Sequence, residues 1–282
     1  MTPVAIVTDS TTYIPKDILA DLPITVLPQI LIFGEKTYRD GVDIQPDEFY
    51  TQLKNSSVMP TTSQVTIASF VDTFNKLLDQ GNEVLAVLVS TKLSGTIDSA
   101  QQACDMLPGK PIRIVDSYSV AMAMGFQVLT VARAAKSGAS LDECVALAEE
   151  ARNHTGVVFA VETLEFLHRG GRIGGATRFL GTALNIKPIL EVTGGRVEPV
   201  ERVRTRRKSL ERLVEIIEER VGGRTPVRLS TLHANSKEDA QEILDMASKK
   251  LNPVESIFSE VSPVVGTHAG PGTVGLAFMA GM

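Results

Sequence analysis

The run Val84-Leu85-Ala86-Val87-Leu88-Val89 is unbroken apolar sequence, and Ser90-Thr91-Lys92-Leu93-Ser94-Gly95-Thr96 follows it at once. A strand with one face in water alternates polar and apolar residues. A strand with no polar side fits a sheet covered on both faces. Ile97-Asp98-Ser99-Ala100-Gln101-Gln102-Ala103 then reads as the start of a helix, so the unit is strand, polar loop, helix.

The same rhythm runs through the first half of the chain. Strands are predicted at 4–8, 24–33, 84–89 and 112–115, with helices at 15–20, 66–80, 97–107, 122–136 and 141–153. Over 66–80, Ile67, Phe70, Val71, Phe74, Leu77 and Leu78 recur at helical spacing. This alternation predicts an α/β N-terminal domain over residues 1–155, built on a largely parallel, Rossmann-like sheet. The second half mixes a hairpin turn, Thr193-Gly194-Gly195-Arg196, with crossovers. Strands are predicted at 156–161, 187–192, 197–200, 227–233 and 256–260. Helices are predicted at 164–173, stopped by paired glycines, and at 179–184, 209–221 and 238–251. The expectation is an α+β domain with a mixed sheet over residues 156–282.

Three segments carry polar chemistry. In Val265-Gly266-Thr267-His268-Ala269-Gly270-Pro271-Gly272-Thr273-Val274-Gly275 a histidine sits among four glycines, more than packing alone calls for. The segment reads as a rigid turn before an apolar stretch, and an imidazole there can donate to an oxyanion. Pro60-Thr61-Thr62-Ser63-Gln64 sets three hydroxyls and an amide in a row. The loop around Ser94 and Gly95 leads into a helix whose first amides are unpaired, an anion site in kind. Taken singly, such loops are commonly helix caps. Asp9-Ser10, Ser94-Gly95 and Asp116-Ser117 all fall at predicted strand ends, where sheets of this class bind ligands.

Composition narrows the function further. A net charge of -5 leaves no surplus of Lys and Arg for phosphates, which argues against non-specific nucleic-acid binding. The basic cluster Arg202 to Lys208 is followed by acidic residues on the helix and reads as a solvated face. With no Trp and 5% aromatics, base-stacking and sugar platforms are disfavoured. Cys104 and Cys144 make no disulfide framework, and the chain start leads straight into a strand without a signal segment. A cytoplasmic location is expected. His154, His168, His233 and His268 are scattered, so no metal is expected. No Gly-x-Gly-x-x-Gly or Walker A run occurs, so no cofactor is expected either.

In chain order, Thr8-Asp9-Ser10-Thr11, Pro60 to Gln64, Leu93-Ser94-Gly95-Thr96, Val115-Asp116-Ser117, Leu164 to Ile173, Lys187-Pro188-Ile189-Leu190 and Gly266 to Gly272 closely resemble the DegV family. The resemblance covers residues 4 to about 278. One departure is Tyr13-Ile14, where many members carry an aspartate and a leucine; that turn is not the carboxylate site.

The resemblance implies a lipid-binding protein, not an enzyme, that holds a long-chain fatty acid between two domains. It further implies presentation of the carboxylate to a separate fatty acid kinase subunit, which supplies ATP and forms acyl phosphate. Thr62, Ser94 and the amide of Gly95 would hold the carboxylate, and His268 would complete the polar end. Arg172, in a solvent-ready Gly170-Gly171-Arg172 turn, would handle the product or the kinase. An acyltransferase and a transient membrane contact are further partners that this implies. Ile30, Ile32, Phe126, Leu164, Leu167, Ile186 and Ile189 are candidates for the acyl lining, although each also reads as plain core. The alternative is a serine hydrolase acting on an acyl ester through Ser94 and His268, with Asp9 or Asp116 as orienting residue. Against it, Leu93-Ser94-Gly95 is not a nucleophile elbow.

Overall fold

The computed structural model describes residues 2–181 and 186–282. Thirteen strands lie among these residues. The first seven are β1 (Val4–Asp9), β2 (Ile24–Leu27), β3 (Ile30–Phe33), β4 (Lys36–Arg39), β5 (Thr61–Ser63), β6 (Glu83–Leu88) and β7 (Ile112–Asp116). The second half supplies β8 (Thr155–Ala160), β9 (Lys187–Thr193), β10 (Arg196–Val203), β11 (Val227–His233), β12 (Glu255–Ile257) and β13 (Val274–Ala280). The helices of the first half are α1 (Lys16–Leu19), α2 (Pro46–Lys54), α3 (Ile67–Asp79), α4 (Thr96–Asp105), α5 (Ala121–Lys136) and α6 (Leu141–His154). Those of the second are α7 (Glu165–Arg169), α8 (Arg206–Val221), α9 (Lys237–Leu251) and α10 (Pro263–Ala269).

The first half builds an all-parallel sheet of order β2-β1-β6-β7, as its β-α alternation requires. The apolar run 84–89 is fully buried, with β6 at an inner position between β1 and β7. The second half builds a six-stranded mixed sheet of order β10-β9-β8-β13-β11-β12, in which only β11 and β12 run parallel. Gly194 and Gly195 both take positive φ, giving the two-residue turn that joins β9 to β10. The apolar stretch after the histidine motif is β13, a full seven-residue strand in mid-sheet. Gly275 on β13 lies flat on its neighbour: a Cβ there would meet the Val158 carbonyl oxygen at 2.5 Å.

The sheets are joined through helix α5. Twelve of its sixteen residues are buried, and it contacts β1 and β6 on one side and β8, β11 and β13 on the other. One apolar cluster therefore runs from Ile6, Leu85 and Val87 through Met122, Phe126 and Leu129 to Val157, Phe159 and Met279.

Several expected boundaries change. The strand expected over 24–33 is two strands in different sheets. Pro28 has no N–H to continue the ladder, so Ile24–Leu27 pairs in parallel with β1 while Ile30–Phe33 pairs antiparallel with β4 and β5. The helix expected over 164–173 is only α7, which ends at Gly170 before Gly171 turns to positive φ. In place of a helix over 179–184, Gly174–Phe179 forms a 3-10 helix and Leu180 is extended; residues 182–184 lie outside the described residues. The strand expected over 256–260 is the three-residue β12.

Because one core spans both sheets, we expect Leu129→Ala to destabilise the whole chain by about 2–5 kcal/mol, the range for a buried leucine. Urea unfolding followed by far-ultraviolet dichroism should shift as a single transition. Two separated transitions would contradict a shared core.

Candidate functional site

The three polar segments meet around one cavity between the sheets. It holds about 870 Å³ of empty space, counting its open mouth. Its walls are mostly apolar and come from both halves, among them Val89, Val120, Phe159, Leu167, Val192 and Val264. One end is polar, where Thr62, Ser63, Gln64, Ser94, Arg172 and His268 gather.

Each polar residue is set by its own element. Thr62 lies on β5, paired opposite Leu31 of β3. Ser94 lies in the turn after β6, where its N–H donates to the Ser90 carbonyl at 3.0 Å and its hydroxyl bonds Thr96 Oγ1 at 2.9 Å. Gly95 caps α4, a cap with no side-chain acceptor. A Cβ at Gly95 would meet the Gln64 amide at 3.4 Å, so the two motifs pack directly together.

His268 is not in a turn. It occupies the last turn of α10, whose Ser262 cap accepts from Val265 N–H; the turn follows at Gly270 and Gly272, both at positive φ. The glycines of this motif each permit a close approach. A Cβ at Gly266 would meet the Tyr50 hydroxyl, and one at Gly270 would meet the Phe166 ring. Nε2 of His268 is 2.8 Å from Thr62 Oγ1. Nδ1 is buried without a partner and packs on Gly170, where a Cβ would stand 2.1 Å from it. Burial, with Arg172 nearby adding to it, pushes the imidazole down to about 4, so it is neutral at neutral pH.

Arg172 is not solvent-ready. It is half-buried, and its guanidinium turns inward to donate to the carbonyls of Leu93, at 3.0 Å, and Gly170, at 2.7 Å. It thereby ties the Ser94 loop to the segment against His268. Among the described residues no carboxylate pairs with it, so the polar end carries one uncompensated positive charge.

The aspartates of the other motifs hold the frame. Asp9 is fully buried and accepts from Thr11, Gln29 and the Val89 N–H; desolvation pushes its carboxyl up. Asp116 accepts from Thr91 and Tyr118. Both therefore fix the loop that bears Ser94. With these bonds, Ser94 engaged by Thr96, and His268 by Thr62, the described residues form no relay from Ser94 through His268 to Asp9 or Asp116.

Of the residues expected to line an acyl site, only Leu167 borders this cavity. The walls are instead largely valines at strand ends and on short helices. Nothing in their sequence separates them from core valines. The basic cluster is partly paired: Arg206 with Asp239 and Glu162, Arg207 with Glu211, and Arg202 over the Phe179 ring. Among the described residues no helix is long and apolar enough to cross a membrane, and no group of three acidic, His or Cys side chains is arranged to hold a metal.

The profile of the DegV family, described as an uncharacterised protein, matches residues 3–281. A DegV domain-containing protein of Halalkalibacterium halodurans is 35% identical over 279 residues, 99% of each chain. Among solved structures, the chain is similar to a DegV family protein from Thermus thermophilus described by its fatty acid binding. That similarity has a TM-score of 0.93 and 34% identity over 99% of both chains. It is also similar to DegV of Bacillus subtilis, described as a fatty acid binding protein. There the TM-score is 0.90 and identity 33%, over 99% of this chain and all of that one.

A neutral buried His268 makes stability depend on pH in a definite sense. The unfolded chain takes up a proton as pH falls through the ordinary value of 6.5, and the folded chain does so only near 4. The residue thus costs stability progressively as pH drops across that window. His268→Gln should flatten this part of the profile, so the difference between wild type and variant in urea unfolding should change between pH 7 and pH 4.5. A difference that stays constant over that range would contradict the assignment.

Proposed function

The chain belongs to the DegV family, and on that premise we propose that it binds one long-chain fatty acid in the cavity between its sheets and presents the carboxylate to a separate kinase. The observation that carries this reading is the asymmetry of the cavity. It is a mostly apolar space with a polar end, and that end holds a guanidinium with no carboxylate partner beside neutral donors. An amphiphile with an anionic head matches both parts.

Burying methylenes contributes about 0.8 kcal/mol each, so a long acyl chain supplies on the order of 10 kcal/mol before ordering costs. The head group needs several donors, because a buried carboxylate left unpaired is very costly. Thr62, Ser94 and the Gly95 amide are suited to supply them. Nδ1 of His268 has no partner, so its single proton is best used on Nε2, donated to Thr62 Oγ1. The Thr62 hydroxyl proton is then free for the ligand. A head group held mostly by neutral donors remains nucleophilic towards the γ-phosphoryl group of ATP on a kinase subunit. Transfer gives acyl phosphate and ADP. Acyl phosphate carries more negative charge than the acid, which suits Arg172 to product handling. An acyltransferase consuming that product and a brief contact with a membrane donating the acid complete the reading.

Thr62→Val and Ser94→Ala each remove one charge-assisted hydrogen bond. Each should weaken fatty-acid binding about tenfold or more in a fluorescent-lipid displacement assay. Unchanged affinity in both would overturn the head-group assignment. Arg172→Ala should lower acyl phosphate formation with a partner kinase by a larger factor than it lowers fatty-acid affinity. Equal losses would leave Arg172 only the role of tying the two loops.

A further inference from the structure

Asp40 follows β4 and is 1% exposed, yet it is not one of the residues that border the cavity. Its oxygens reach two parts of the chain that are far apart in sequence. Oδ1 accepts from the Val264 N–H in the first turn of α10 at 3.1 Å, and Oδ2 accepts from the Ser10 hydroxyl at 2.6 Å. The Asp40 N–H donates to the Gln29 carbonyl at 2.9 Å.

The bonds continue towards the other half of the polar end. Ser10 Oγ accepts from Gln29 N–H at 3.0 Å, Gln29 Nε2 donates to Asp9 at 3.2 Å, and Asp9 accepts from Val89 N–H at 2.9 Å. Val89 leads into the loop that bears Ser94. Every side chain in this series is at least 95% buried. A continuous buried polar chain thus links the helix that carries His268 to the loop that carries Ser94, bordering the cavity at Gln29. Burial without full compensation pushes the Asp40 carboxyl up to about 6, so at neutral pH it is an anion held by these donors.

Helix α10 has only seven residues, and it carries His268 to Thr62. Its N-terminal turn is tied by Asp40, and its middle rests on Tyr50 through Gly266. Given the fatty-acid reading above, on which this rests, we propose that Asp40 is the positioning residue of the head-group site: it sets α10 against the parallel-sheet half, so that His268 meets Thr62 opposite Ser94. Asp40 touches no ligand in this role. It acts through the register of α10, and its loss frees His268 from Thr62 while leaving in place the apolar walls that other elements supply, Val89, Val120, Phe159, Leu167 and Val192.

The test compares hexadecanoic acid with hexadecan-1-ol, which share a tail and differ in head group. Affinities of both are measured for wild type, Asp40→Asn and Ser10→Ala by displacement of a fluorescent lipid. In Asp40→Asn the preference for the acid over the alcohol should fall about tenfold, the scale of one lost charge-assisted hydrogen bond, with the alcohol affinity nearly unchanged. Ser10→Ala, which removes one donor and keeps the carboxylate, should lower the preference in the same direction by less. It carries the test by itself should Asp40→Asn not fold. A preference that is unchanged, or acid and alcohol affinities that fall together, would overturn the positioning role. If wild type binds acid and alcohol equally, the carboxylate reading itself fails and this role fails with it.

Discussion

Helix α5 is buried on both faces between two sheets, and the rest of the molecule depends on that sandwich. A helix that shows water almost no surface must be covered on all sides. The parallel sheet covers one side and the mixed sheet the other. Its N-cap Val120 and first residue Ala121 border the cavity. The cavity therefore lies where the sandwich opens at the N-terminal end of α5. Its apolar walls are the uncovered margin of the same core, which explains why they are made of the same residues.

The polar end is arranged so that negative charge stays off the groups that line it. Carboxylates are present in number, but they are withdrawn: Asp9 and Asp116 hold the Ser94 loop, and Asp40 holds α10. The groups that line the end are hydroxyls, the Gln64 side-chain amide, a neutral imidazole and one guanidinium. Facing an anion, such a set attracts without the repulsion that a lining carboxylate would bring. Buried ion pairs and polar chains of this kind fix geometry more than they add stability. Here they fix which loop meets which helix.

Much of this was legible in the sequence, and the reasons are specific. The run 84–89 announces a doubly covered strand, and Gly194-Gly195 announces a hairpin. The glycines around His268 announce close approaches, and each has its contact in the structure. Residues Thr62, Ser94, Gly95 and His268 do come together. The small sheet of β3, β4 and β5 was not legible, because Lys36–Arg39 and Thr61–Ser63 are short, exposed and without an apolar period. Helix α2 does carry a signal: Phe49, Tyr50 and Leu53 recur at helical spacing after Pro46. Asp40 had none, since a lone aspartate in a polar stretch shows nothing of the helix it will hold. Arg172 looked solvent-ready because glycines usually mark exposed turns, whereas here Gly170 makes room for His268.

The central claim is that the cavity holds one fatty acid. Native mass spectrometry of the purified protein, with organic extraction and lipid identification, tests it most directly. The account predicts an added mass of one fatty acid per chain, either carried through purification or taken up on addition. A chain that is empty as purified and stays empty with added fatty acid would contradict it.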